Sequence, residues 1–140
     1  MADIVVTAAR VAVVDPTNAE IFSGKCTVAI TAGQAVYFDA AGQIDLCNAA
    51  VAATAQIRGI ALEAGAIGQV ISVLKRGLVA GFTIPQAYDA QVFASAAVAG
   101  ALADAAGAVP VPCGRVVPMR DRSATKVIYF NADWTAHQWS

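Results

Sequence analysis

A chain of 140 residues and 14.2 kDa with a formal net charge of −1 has room for one ordinary domain. It offers no broad attraction for phosphates, which sets nucleic acid aside as a partner. Charged residues are only 14% of the chain and apolar ones 58%, yet no stretch approaches the roughly 20 consecutive apolar residues of a spanning helix, so no membrane partner is expected.

Residues 2–14 read as an extended apolar arm, because Ile4, Val5, Val6, Val11, Val13 and Val14 are β-branched and suit pleated backbone. The opening Met1-Ala2-Asp3 has no basic region ahead of an apolar core, so no secretory signal is expected, and the unpaired cysteine usage fits folding in a cytoplasm. Asp15-Pro16-Thr17-Asn18 supplies turn chemistry, since proline presets φ and the Asp and Asn side chains bond nearby backbone. The arm is taken to run over residues 1–22 and a barrel over residues 23–130.

Alternation of polar and apolar side chains over residues 27–31 predicts a strand, turned by Ala32-Gly33. Residues 35–38 and 43–46 flank Asp39-Ala40-Ala41-Gly42, a hairpin signal, because glycine takes the left-handed angles of a return turn. The alanine-rich residues 48–54 fit a loop or a helical turn. Residues 57–62 and 70–74 read as paired strands, followed after Gly77 by another short strand over residues 78–82.

The second half repeats this layout. Gln34 and Gln91 are 57 positions apart and Gly59 and Gly114 are 55 apart, so the offset is nearly constant. Residues 91–93 match the first strand of the module and residues 99–102 stand where its return strand belongs. Pro110 and Pro112 cannot donate to a central ladder, which predicts an edge or an extended linker there. Residues 115–119 and 126–130 form the last pair. Many short strands between Gly, Pro and Asp turns, with no long amphipathic helix, predict an all-β fold: a single compact sandwich or barrel of antiparallel strands built from two related halves.

Residues 131–140 form a tail holding Trp134, Trp139 and His137, the chain's two tryptophans and single histidine. Tryptophan is enriched among residues that carry interface energy, so these three join Ile4, Val5, Val6, Val11 and Val13 as candidate subunit or partner contacts. Trp134 and Trp139 could equally fold back on their own barrel.

Chemistry is hard to assemble from what remains. A Ser/His/Asp or Cys/His set would have to use His137 near the end of the sequence, and one imidazole cannot make a histidine metal site. Cys26, Cys47 and Cys113 include no CxxC pair and read as small apolar packing. Asp39, Asp45, Glu63, Asp89 and Asp104 sit mostly in turns, where acids are common for backbone reasons. Gly65-Ala66-Ile67-Gly68 lacks the Lys-Ser/Thr of a phosphate loop. The basic run from Arg115 to Lys126, broken by Asp121, reads as a solvated strand loop, and the other aromatics as core. The expectation is no enzyme, no cofactor and no metal. A monomer of this mass exposes roughly 6,800 Å², and so few charges to cover it point to a working state in an assembly.

One module carries a family resemblance. Residues 32–46 (AGQAVYFDAAGQIDL), 58–62 (RGIAL), 68–73 (GQVISV) and 77–79 (GLV) resemble the small capsid decoration, or cement, proteins of tailed bacteriophages, as does the opening at residues 3–9. The resemblance covers residues 27–82 well and the second half and tail loosely. It implies a jelly-roll-like barrel on the outer surface of an icosahedral phage head, made in the host cytoplasm, bridging neighbouring major capsid proteins. Partners would then be the major capsid protein and other copies of the chain, with a dimer favoured over a trimer because two-fold contacts are commonest. A tail or baseplate domain and a small-ligand or carbohydrate-binding barrel are the alternatives.

Overall fold

Strands β4 (Ala35–Phe38), β5 (Ile44–Leu46), β6 (Ile57–Ala61) and β7 (Val70–Ala80) recur as β9 (Gln91–Ala94), β10 (Leu102–Ala103), β11 (Pro112–Met119) and β12 (Arg122–Asn131) in this computed structural model. It describes residues 3–119 and 122–135, and side chains except those of residues 122–124. In the first unit β4 pairs with β5 and β6, and β6 with β7; in the second β9 pairs with β10 and β11, and β11 with β12. All these pairings are antiparallel. The units join where β7 pairs with β12, from Val79↔Ile128 to Arg76↔Asn131, so the strand order is a palindrome, β10-β9-β11-β12-β7-β6-β4-β5. The sheet curls into a half-barrel.

The repeat extends to an irregularity. Between β4 and β6 the register runs from Val36↔Gly59 to Tyr37↔Ile57, which leaves Arg58 as an extra residue. Between β9 and β11 it runs from Val92↔Gly114 to Phe93↔Pro112, which leaves Cys113 extra. Each bulge precedes the repeated glycine, where a bulge re-aims the strand. The surroundings match too. A Cβ on Gly59 would meet the Val73 side chain and the Leu74 carbonyl, and one on Gly114 the Ile128 side chain and the Tyr129 carbonyl.

One core cluster joins the units, with Ile57, Ile60 and Leu74 from the first and Val92, Val116, Ile128 and Phe130 from the second. A smaller one, built on Val36, Ile44, Ile71 and Val73, lies within the first unit. The chain's accessible surface of 6668 Å² is what a compact monomer of this mass should expose, so the curl closes as tightly as an ordinary domain.

Several local expectations change. Residues 27–31 make a loop with a single bridge at Ile30↔Gly65. The alternation there serves hydrogen bonds: the Thr27 hydroxyl donates to Asp39 Oδ2 at 2.6 Å, and the Thr27 N–H to the Ile44 carbonyl at 2.9 Å. The hairpin stands as expected, with Gly42 at φ +80° and Asp39 Oδ1 accepting the Ala41 and Gln43 N–H groups at 2.9 Å each. These bonds, led by that from Thr27, hold the Asp39 carboxyl below its ordinary range. Residues 78–80 continue β7, because Gly77 at φ +147° lets the strand bend without ending; β8 (Phe82–Thr83) follows separately. The return strand β10 begins at Leu102 and not at Ala99. Pro112 is the first residue of β11, before β12 begins to pair, so its missing N–H costs the ladder nothing there.

The N-terminal segment is extended, as β1 (Val5–Val6), β2 (Ala12–Val13) and β3 (Glu20–Lys25), but its partners belong to its own chain. β1 pairs with β8, β2 with the end of β7, and β3 with residues 70–76 of β7.

Candidate interaction surface

That stitching redistributes the candidate contacts. Ile4 is buried and donates its N–H to the Leu102 carbonyl at 2.7 Å, so it is core. Val11 and Val13 pack half-buried against the same core, and Val6 lies close over Gly33. Val5 stands out, 63% exposed. His137 and Trp139 lie outside the described residues.

Trp134 is half-buried and held from four sides. Its Nε1–H donates to the Arg58 carbonyl at 2.8 Å, the extra residue of the first bulge. Its ring meets Phe22 edge-on at 5.0 Å between centroids and Phe38 at 5.6 Å, and these two meet each other at 5.6 Å. Lys75 Nζ sits 4.5 Å from the indole centroid, a cation–π contact, and is ion-paired at 3.2 Å with Glu20, which also holds Arg76. Phe38, expected in the core with the other strand aromatics, is exposed at the rim of this cluster. Phe22, Phe38, Lys75 and Trp134 come from four distant segments, so no local pattern signals their meeting. Trp134→Ala is expected to cost about 2 kcal/mol, less than a fully buried tryptophan, because the ring is only partly buried. A thermal melt checks this, and an unchanged midpoint would show that the ring only rests on the surface.

Larger exposed apolar side chains stand nearby along the chain: Ile21 on β3 and Val70 on β7 are 50% and 64% exposed, and Ile67, in the turn leading into β7, is 73% exposed. Ile21 and Val70 are mounted on paired backbone, which fixes their positions without help from a partner.

The polar groups have structural work. Glu63 Oε2 accepts the Ser72 N–H at 2.9 Å, and Asp45 Oδ1 the Leu46 N–H at 2.7 Å. Arg115 donates to the Asp89 carbonyl at 2.6 Å, and Lys126 to the Gln86 carbonyl at 2.5 Å while lying over Tyr88, so these basic residues tie down the connection between β8 and β9. Burial pushes the Cys26 thiol up, and that of Cys47 up to about 12; Cys113 is raised further, by burial first and by Cys47 second. Such thiols are protonated and shielded at neutral pH. Among the described residues no three His, Cys, Asp or Glu side chains converge as a metal site.

Two open clefts adjoin. One, of about 140 Å³, is lined by Glu20, Lys75, Arg76, Asn131, Asp133, Trp134 and Thr135. The other, of about 410 Å³, lies over the second bulge and shares Asn131 and Asp133 with the first. No protein-family model matches the chain, and neither a curated protein nor a solved structure matches it.

Proposed function

We propose that this chain is a non-enzymatic structural protein that binds the outer surface of an icosahedral phage head and stabilises it by bridging neighbouring major capsid proteins. It acts as a homo-oligomer, a dimer before a trimer, and reaches the virion from the host cytoplasm. The observation that carries this reading is the placement of exposed apolar side chains, Ile21, Ile67 and Val70, on or beside the paired strands of a fixed frame. Apolar groups held in place lose little conformational freedom on docking, so their burial converts efficiently into affinity. Repetition over a symmetric shell adds avidity, which lets each contact be modest.

The cluster around Trp134 argues against the carbohydrate alternative. A sugar needs an open aromatic face, and here Lys75 stands over the indole while Phe22 and Phe38 abut it. A tail or baseplate address uses the same surface and is separated by experiment.

The test is co-sedimentation with undecorated heads and, separately, with tails of the virus that encodes the chain. Binding to heads is expected, and the double variant Ile67→Asp, Val70→Asp should weaken it at least about tenfold, because burying two unpaired carboxylates is costly, while the melting midpoint stays put. Binding to tails alone would move the address, and binding to neither would end the proposal.

A further inference from the structure

The end strands of the large sheet are met by their own chain: Ile44 of β5 is bridged by Cys26, and Ala103 of β10 by Asp3. β3 is different. Its register with β7 runs unbroken from Lys25↔Val70 to Ile21↔Leu74, and among the described residues no strand pairs with its other side. Cys26, which continues β3, gives its N–H to the Gln69 carbonyl and accepts the Gly68 N–H, each at 2.8 Å, so its backbone groups turn toward the start of β7. Backbone groups alternate between the two sides of an antiparallel strand, so those of Gly24 and Phe22 also turn inward and those of Ile21, Ser23 and Lys25 turn outward. The far side of β7 agrees, because the carbonyl of Ser72, opposite Ser23, is taken by the Leu62 N–H at 2.9 Å. Ile21, Ser23 and Lys25 are all exposed. Such an open row is a template for another strand.

Its ends are fixed. Ala19, the outward position before Ile21, gives its N–H to the Pro16 carbonyl at 3.4 Å, and Thr27, the one after Lys25, gives its own to the Ile44 carbonyl at 2.9 Å. The open stretch is therefore symmetric about Ser23, and that symmetry selects a second copy of the same edge. Antiparallel pairing about a two-fold axis at Ser23 sets Ser23 against its own copy and Ile21 against Lys25 of the other copy, which bonds every outward group. An axis at Phe22 would set Lys25 against Ala19, and one at Gly24 would set Ile21 against Thr27, whose N–H groups are already taken. An axis at Lys25 would set like charges face to face. With the axis at Ser23 the two Lys25 residues stand about 13 Å apart at roughly 3.3 Å per residue, beyond the screening length of about 8 Å at physiological salt, and each lysine stem lies along an Ile21.

We propose that β3 pairs with β3 of a second copy, antiparallel about Ser23, and so joins two curled sheets into one dimer. The inference rests on the homo-oligomer of the reading above and names its contact.

Sedimentation equilibrium of the full chain should give twice 14.2 kDa. Ser23→Lys sets two ammonium groups against each other at the axis and leaves the side of β3 that faces β7 untouched, so it should weaken the dimer at least about tenfold while circular dichroism stays that of the unaltered chain. Ser23→Cys should form an intermolecular disulfide under mild oxidation, because a hydrogen-bonded antiparallel pair brings Cα atoms to about 5.5 Å. Ile21→Cys and Lys25→Cys should cross-link only when mixed. The native thiols are buried and do not compete. Should Ser23→Lys fail to fold, the cysteine variants decide alone. A monomer or a trimer at all concentrations up to millimolar, a dimer unmoved by Ser23→Lys, or a Ser23→Cys chain that does not cross-link would overturn the inference. A monomer that still sediments with heads would overturn it and leave the capsid address standing, whereas a Ser23-centred dimer that binds no heads would uphold it and end that address.

Discussion

Alanine at Gly59 is expected to cost about 3 kcal/mol or more, a large part of the roughly 5–15 kcal/mol that holds a domain together. The added Cβ would lie 2.4 Å from Val73 Cγ1, 2.7 Å from the Leu74 carbonyl oxygen and 3.1 Å from Phe22 Cε1. A carbonyl in a paired strand cannot step aside without breaking its ladder, so the clash falls on the sheet. Gly114→Ala meets the Tyr129 carbonyl oxygen at 2.5 Å and Ile128 Cγ2 at 3.1 Å, and a loss of similar size is expected. Gly42→Ala is the control: it meets nothing within 4 Å and carries only the left-handed backbone at φ +80°, about 1 kcal/mol. Urea unfolding of the three variants checks the order. A Gly59→Ala chain with an unshifted midpoint would show that the bulge is far softer than its contacts imply.

The second large effect is alkaline. Cys47 and Cys113 are buried thiols whose pKa in the folded state lies above that of a free thiol. The unfolded chain therefore loses these protons first, and stability falls as pH rises past the free-thiol value. Below about pH 8 the two contribute no pH dependence; above about pH 9 each should remove about 1.4 kcal/mol per pH unit until its folded pKa is reached. Melts between neutrality and pH 11 should show this slope, and Cys47→Ala or Cys113→Ala should flatten it while lowering neutral stability through the lost packing. A slope unchanged in both variants would place the alkaline sensitivity elsewhere, for example in Tyr37, whose pKa is also raised by burial first and then by Asp45.

The duplication was legible because its markers are backbone requirements. Gly59 and Gly114 stand where no side chain fits, so they keep their spacing while the apolar residues around them vary in size. The hairpin at residues 35–46 was legible for the same reason, through Asp39 and Gly42. The partners of extended segments were not. Ile4, Val11 and Val13 have the composition of a strand that adds to a sheet, and composition does not say whose sheet; Val13 pairs with β7 and Ile4 bonds Leu102 of β10, both in the same chain. The strand expected over residues 27–31 shows the converse, where the polar Thr27 belongs to a loop and its hydroxyl bonds Asp39 and Gln43. The setting of Trp134 was beyond local reading altogether, since its acceptor, Arg58, is 76 positions away.

The seam between β7 and β12 has a consequence for dilution. Two separate four-strand units meeting along it would each surrender the freedom to drift and tumble, an outlay of roughly 4–15 kcal/mol for every encounter. The connection from Ala80 to Gln91 replaces that encounter by closing a loop, whose entropic cost rises only with the logarithm of its length. A solitary molecule therefore keeps its two units mated however scarce its copies become.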